Sequence, residues 1–351
     1  MSSKNFLKNM LPPAWRRKIR EFAVSLNVTH LSGPKKLRLS RQDAVVTCVV
    51  KNGEFYMESF IRHHSRMGFR HIFFLDNGST DQTIAIAQKH NNVSISQSTL
   101  PIDTYQGLFK KYLAHNSAQG AWCLDADIDE FFDFPYSNVI RLHDLLEYLN
   151  GKQYTAVMTQ LLDMFSDTPL SRLTQHDDDN LSAVYEYYDT SDLAKTPYRA
   201  SELVASYGSS NQVSNANAAL YFGGIRKRLY GNDCLLTKHS LFMPDKRLDL
   251  FPHVHFVNHA RLADVSCVML HYKLTRNALD VALQNKEGFV GNSERYGQFI
   301  DFLSNKPAYQ IKQHTAVRFK TVDELVENGF LFASQEYREY VRTKAPNRSN
   351  R

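Results

Sequence analysis

Gly120-Ala121-Trp122-Cys123-Leu124-Asp125-Ala126-Asp127-Ile128-Asp129-Glu130-Phe131-Phe132 reads as an apolar strand that runs straight into clustered carboxylates. Such a cluster is costly unless it stays exposed or is neutralised by a cation. In α/β folds the C-terminal ends of parallel strands form ligand crevices, where these groups can hold a divalent ion against a phosphate-bearing substrate. Alternation along the strand puts Cys123, Asp125 and Asp127 on one side. Asp127 and Asp129, flanking Ile128, can share a metal once the strand has ended, and oxygen ligands favour Mg²⁺ or Mn²⁺. The competing reading is a solvated acidic turn.

The residues before this stretch repeat one pattern. Ala44–Val50 is an apolar run of strand length, residues 55–67 have helical periodicity, and Gly68 stops that helix. His71–Leu75 reads as a second strand, 82–89 as a helix, Val93–Ile95 as a third strand and 108–116 as a helix. Alternating strands and helices predict an α/β fold with a mainly parallel sheet covered on both faces. Right-handed crossovers then bring the loops at 51–54, 76–81 and 125–130 to one edge. Beyond it, 141–149 reads as a helix, 155–162 and Cys267–Leu270 as strands, and 163–235 as an irregular, polar, substrate-side excursion. The chain from 277 onward reads as mostly helical, with a short strand near 315–319 and a frayed end.

The chain has 351 residues and a formal net charge of +6. Residues 1–41 hold ten Lys or Arg against Glu21 alone, so the remainder is slightly acidic at −3. This leaves a basic arm over 1–42, a catalytic-type domain over 43–275 that includes 163–235, and a helical extension over 276–351. The arm can form an amphipathic helix from about 14 to 26, with Phe6, Leu11, Trp15, Ile19, Phe22 and Leu26 as its apolar residues. It then either touches an anionic membrane peripherally or packs on the body. Nucleic-acid binding is not expected, since the body lacks positive charge and a reader motif. No apolar run is long enough to span a membrane, and no secretory leader is recognisable. Cys48, Cys123, Cys234 and Cys267 match no metal spacing, so buried free thiols and a cytoplasmic setting are expected.

Other residues suit the same edge. Asp76 follows a strand and opens Asp76-Asn77-Gly78-Ser79-Thr80-Asp81, where a carboxylate can accept from a base or ribose hydroxyl. Phosphate-loop and dinucleotide glycine fingerprints are both absent, so a diphosphate needs a metal and basic side chains. Gly223-Gly224-Ile225-Arg226-Lys227-Arg228 is a glycine-flanked basic turn, and Lys238, His253, His255, His271 and Lys273 are further candidates. Asp163, after the strand over 155–162, is the candidate general base for attack by an acceptor hydroxyl.

Val50-Lys51-Asn52-Gly53-Glu54, His63-His64, Leu75 through Asp81 and Trp122 through Phe131 together resemble the family 2-like glycosyltransferases. The closer resemblance is to the branch whose acidic motif reads Asp-x-Asp-Glu-Phe, here Asp127-Ile128-Asp129-Glu130-Phe131. Gly223-Gly224-x-Arg226-x-Arg228, Leu236-Thr237-Lys238 and His271-Tyr272-Lys273 are similar to that branch as well. The resemblance implies a GT-A fold of Rossmann type, a nucleoside-diphosphate sugar donor and Mn²⁺ or Mg²⁺. It makes Asp127 and Asp129 the metal-binding pair, with His271 a further metal-site candidate, Arg226 and Lys238 candidate stabilisers of the leaving diphosphate, and Asp163 the candidate general base. Asn52, Glu54, Asp76, Asn77, Asp125, His271 and Lys273 become donor-site residues. Asn77 occupies the second position of the second loop, and Gly53 shifts Glu54 by one residue. The implied function is sugar transfer to a carbohydrate or lipid-linked hydroxyl, with inversion, in surface polysaccharide or glycoconjugate synthesis. A sugar-phosphate nucleotidyltransferase and a non-catalytic carbohydrate-binding module are the alternatives.

Overall fold

A computed structural model describes residues 12–174, 180–288 and 293–345. The expectations that fall on 1–11, 175–179 and 346–351 (Phe6, Leu11, part of the polar excursion, the frayed end) lie outside the described residues. The described residues open with α1 (Pro13–Asn27) and β1 (Thr29–Ser32), then β2 (Ala44–Val50), α2 (Glu54–Met67), β3 (His71–Asp76), α3 (Thr83–Ala87), β4 (Val93–Gln97), α4 (Ile102–Ser117) and β5 (Trp122–Asp125). Strands β2, β3, β4 and β5 pair in parallel, as the alternating pattern predicts.

Alternation in β2 sends Val46, Cys48 and Val50 to one face, against Met57 and Phe60 of α2, and Val45 to the other, toward Phe109 and Leu113 of α4. Each fully buried side chain of this size contributes roughly 1.5–3 kcal/mol. Gly68 ends α2 in the left-handed region at φ +106, with its N–H returning to the last turn. Gly68→Ala is therefore expected to cost about 1 kcal/mol, read from the urea midpoint, because the added Cβ strains that φ although it has room.

After β5 come β6 (Glu130–Asp133), α5 (Leu142–Gly151) and β7 (Ala156–Asp163). The expected irregular excursion holds short elements instead: α6 (Leu181–Val184), β8 (Tyr187–Tyr188), β9 (Leu193–Pro197), α7 (Glu202–Tyr207), β10 (Gln212–Val213), β11 (Ala219–Gly223) and α8 (Ile225–Tyr230). β9 and β11 form an antiparallel ribbon, and β10 joins the edge of the main sheet. Next are β12 (Thr237–Phe242), β13 (Asp249–His253), β14 (Phe256–Asn258), β15 (Arg261–Leu262) and β16 (Cys267–His271).

The mainly parallel sheet needs correction to a mixed one. β12 lies between β5 and β7 and runs antiparallel to both; β16 is parallel to β7 and antiparallel to β6. The C-terminal region is mostly helical, as expected: α9 (Ala278–Gly288), α10 (Ser293–Asn305), β17 (Val317–Arg318), α11 (Val322–Glu327) and α12 (Gln335–Lys344). Phe299 and Phe302 of α10 pack with Tyr230 of α8 and Phe165, just beyond the end of β7.

Candidate active site

The parallel register places the ends of β2, β3 and β5 side by side, and their loops are laced together. Asn52 N–H donates to Ser79 Oγ (2.8 Å), Thr80 N–H donates to Asn52 Oδ1 (2.8 Å), and Gln82 N–H donates to Glu54 Oε2 (2.7 Å). Asp76 is buried and accepts from the Gly78 and Ser79 amides and from Gln97. Asn77 donates to the carbonyls of Ser98 and Leu100. Asp76 and Asn77 thus shape the second loop from within, while Asn52 lines the adjoining cavity.

At the end of β5 two buried lysines meet the carboxylates. Lys110 of α4 donates to Asp125 Oδ2 (2.7 Å) and Asp127 Oδ1 (2.9 Å). Lys238 of β12 donates to Asp127 Oδ2 (2.8 Å) and Glu130 Oε1 (2.5 Å). Burial pushes the Asp125 and Glu130 carboxyls upward against the pull of the lysines. Burial opposes ionisation of Asp127 too, but Lys110 and Lys238 together hold it well below the usual carboxylate range. Asp127 remains partly open, with its side chain 37% exposed to the cavity.

A second network is built on Asp129, between Asp127 and Glu130 in the chain. His271, at the end of β16, has Nε2 3.3 Å from Asp129 Oδ2 and Nδ1 2.5 Å from Asp163 Oδ1. Arg226 of α8 donates to the other Asp163 oxygen at 2.8 Å. Burial disfavours the imidazolium, but Asp129 and Asp163 outweigh it and raise the His271 pKa. Asp163 is buried between His271 and Arg226 with its pKa lowered, and it does not line the cavity. The expected general base therefore sits behind His271, in hydrogen-bond contact with its Nδ1.

The cavity holds about 650 Å³ and is lined by Asn52, Asp127, Asp129, Lys238, His255 and His271 among others. Arg226 Nη2 and Tyr230 Oη, on residues lining its wall, are buried without a protein partner. Lys273 also lines it, its ammonium 5.9 Å from the Tyr296 ring centre. His253 lines the rim, and Arg228 is drawn outward to Asp189 and Asp192. A cavity of similar size, about 640 Å³, lies between α2 and α5, away from the carboxylates.

The donor set fits a hard divalent ion at Asp129 and His271. Adjacent ligands of an octahedral Mg²⁺ or Mn²⁺, at about 2.1 Å from the metal, stand about 3 Å apart, close to the observed Asp129–His271 separation. A carboxylate behind the far ring nitrogen, here Asp163, is the usual support of a metal-binding histidine. Asp127 fits less directly, since each of its oxygens already accepts from a lysine. A tight grouping of three ligand types occurs elsewhere among the described residues, at His143, Asp144 and Glu147 of α5. Its geometry follows from helical spacing: Asp144 accepts from the Arg141 amide at the start of α5, and Glu147 accepts from Lys344.

No family model matches the sequence, and no curated protein matches it. Among solved structures the chain is similar to glucosyl-3-phosphoglycerate synthase from Mycobacterium tuberculosis, crystallised with Mn²⁺, UDP and glucosyl-3-phosphoglycerate. The identity is 19%, the aligned part spans 34% of this chain and 44% of that one, and the TM-score is 0.24, a likeness too slight to carry an argument.

Lys110 and Tyr230 are site residues that sequence reasoning missed. The signal for Lys110 was its place in a buried stripe of α4 with Leu113, Ala114 and Ser117. A lysine on the core face of a helix needs a buried counter-charge.

Proposed function

We propose that this protein is a metal-dependent glycosyltransferase of GT-A type that moves a sugar from a nucleoside-diphosphate sugar to an acceptor hydroxyl, in surface polysaccharide or glycoconjugate synthesis. The observation that carries this reading is the Asp129–His271 pair, braced by Asp163 and Arg226, opening into a cavity large enough for a nucleotide sugar.

Asp129 and His271 would hold Mn²⁺ or Mg²⁺, which when bound screens the donor diphosphate and stabilises its negative charge as it leaves. Lys273, beside Asp129, adds fixed positive charge toward that phosphate, and the free Arg226 Nη2 offers a further donor. Lys110 and Lys238 keep Asp127 ionised and fixed, so that it can accept from a hydroxyl of the donor. Asn52 reaches the nucleotide side of the cavity, whereas Glu54, Asp76 and Asn77 act by setting loop shape. Asp125 anchors Lys110, and Asp163 positions His271.

The test is turnover of a panel of nucleotide sugars with Mn²⁺ and with chelator. Metal-dependent release of nucleotide from one donor is expected. No turnover, together with no donor-induced thermal shift in Mn²⁺, would defeat the reading.

A further inference from the structure

Helix α1 is inside out. With about 100° of rotation per residue, Trp15, Ile19, Phe22 and Leu26 fall in one stripe about 60° wide. These four side chains are 61%, 52%, 63% and 69% exposed. The opposite side of the helix holds it to the body. Val24 is buried there, Arg17 donates to Asp249 Oδ1 (3.1 Å) and the Leu250 carbonyl (3.0 Å), and Glu21 accepts from Lys111 of α4 at 2.7 Å. A surface helix ordinarily turns its apolar stripe to the core; this one is anchored by ion pairs and shows that stripe to solvent.

We infer that this outward stripe is a docking face for an anionic lipid surface. The charges beside it decide the occupant. Lys18 is exposed about 40° beyond one edge of the stripe, Arg20 is exposed about 100° beyond the other, and Glu21, the sole acidic residue of α1, is turned to the body. Two copies packed stripe to stripe would bring lysines and arginines together with no acid in α1 to neutralise them. Anionic headgroups supply that charge, while Trp15 and Phe22 enter the boundary between headgroup and acyl chain. Because Glu21 holds Lys111, and the neighbouring Lys110 reaches Asp127, the docked helix and the site share α4 as a common wall. The inference stands without the sugar-transfer reading.

The chain has two tryptophans, and Trp122 is fully buried, so a change in emission on adding vesicles reports Trp15. The full-length protein is titrated with phosphatidylcholine vesicles, with and without phosphatidylglycerol. A blue shift with the anionic vesicles alone is expected. Ile19→Glu/Phe22→Glu removes it at unchanged melting temperature, since neither side chain is buried. Lys18→Glu/Arg20→Glu weakens binding at least about tenfold. Equal binding to neutral vesicles, no shift at all, or a lipid-free dimer lost in the Ile19→Glu/Phe22→Glu variant would each overturn the inference.

Discussion

Asp129→Ala and His271→Ala are each expected to reduce Mn²⁺-dependent nucleotide release by about two orders of magnitude or more, and to remove the thermal shift that Mn²⁺ alone produces. Both side chains line the cavity 3.3 Å apart, and with only two protein ligands the loss of either leaves a hard ion a single anchor among waters and substrate oxygens. Asp163→Asn is expected to lie between, weakening Mn²⁺ affinity about 10- to 100-fold while leaving turnover recoverable at high metal, since it acts through His271. A general base would instead lose turnover without recovery, so the metal titration distinguishes the two roles. The pH dependence has a definite sign. Asp129 and Asp163 raise the His271 pKa, and Mn²⁺ competes with the proton at Nε2, so affinity falls as pH drops through that raised value. Without metal, the charged imidazole stabilises the fold below the unfolded pKa of about 6.5, and this contribution is lost as pH rises through the folded value. Unchanged Mn²⁺ affinity in His271→Ala would remove this residue from the metal site.

The second large effect concerns Lys238. Lys238→Met leaves Glu130 buried without its cation and Asp127 with one lysine instead of two. Breaking one side of a buried pair is expected to cost roughly 3–5 kcal/mol near neutral pH, read as a fall in the urea midpoint. The loss shrinks in acid. Burial already raises the Glu130 pKa, and without Lys238 the folded state favours the neutral acid further. A carboxyl whose folded pKa exceeds its unfolded value destabilises the fold progressively as pH rises through the interval between them. Lys238→Met/Glu130→Gln should regain part of the stability at neutral pH. A double variant no more stable than the single one would show that the ion pair is not the cause.

Much of the front half was legible because periodicity and punctuation agree there. The run Ala44–Val50, the helical spacing before Gly68 and the strand before Asp76 each admit one reading, and the parallel order of β2, β3 and β5 follows from their connections. β12 was illegible for an equally physical reason. Thr237, Lys238, His239 and Ser240 are all buried in mid-sheet, and such a polar run looks like a loop until its partners are known. Those partners are remote: Gln160 for Thr237, Thr159 for Ser240, and Asp127 and Glu130 for Lys238. The Asp-Ile-Asp-Glu stretch was legible as a charged site, but not its division of labour. Sequence spacing groups Asp127 with Asp129, whereas the fold hands the first to two lysines and the second to His271.

The place of β12 also governs the order in which the molecule can be assembled. A chain emerging from the ribosome finishes β2 through β5 long before residues 237–242 exist, yet β5 has β12 as its neighbour on one side. Until then the nascent half-sheet carries an open edge, with Glu130 lacking its lysine and Asp127 left with Lys110 alone. Closure is therefore a late, long-range event, of the kind that makes folding slow and leaves intermediates prone to stick to one another. Fragments that stop before Phe242 should be recovered as aggregates, and the acidic site should come into being together with the finished sheet.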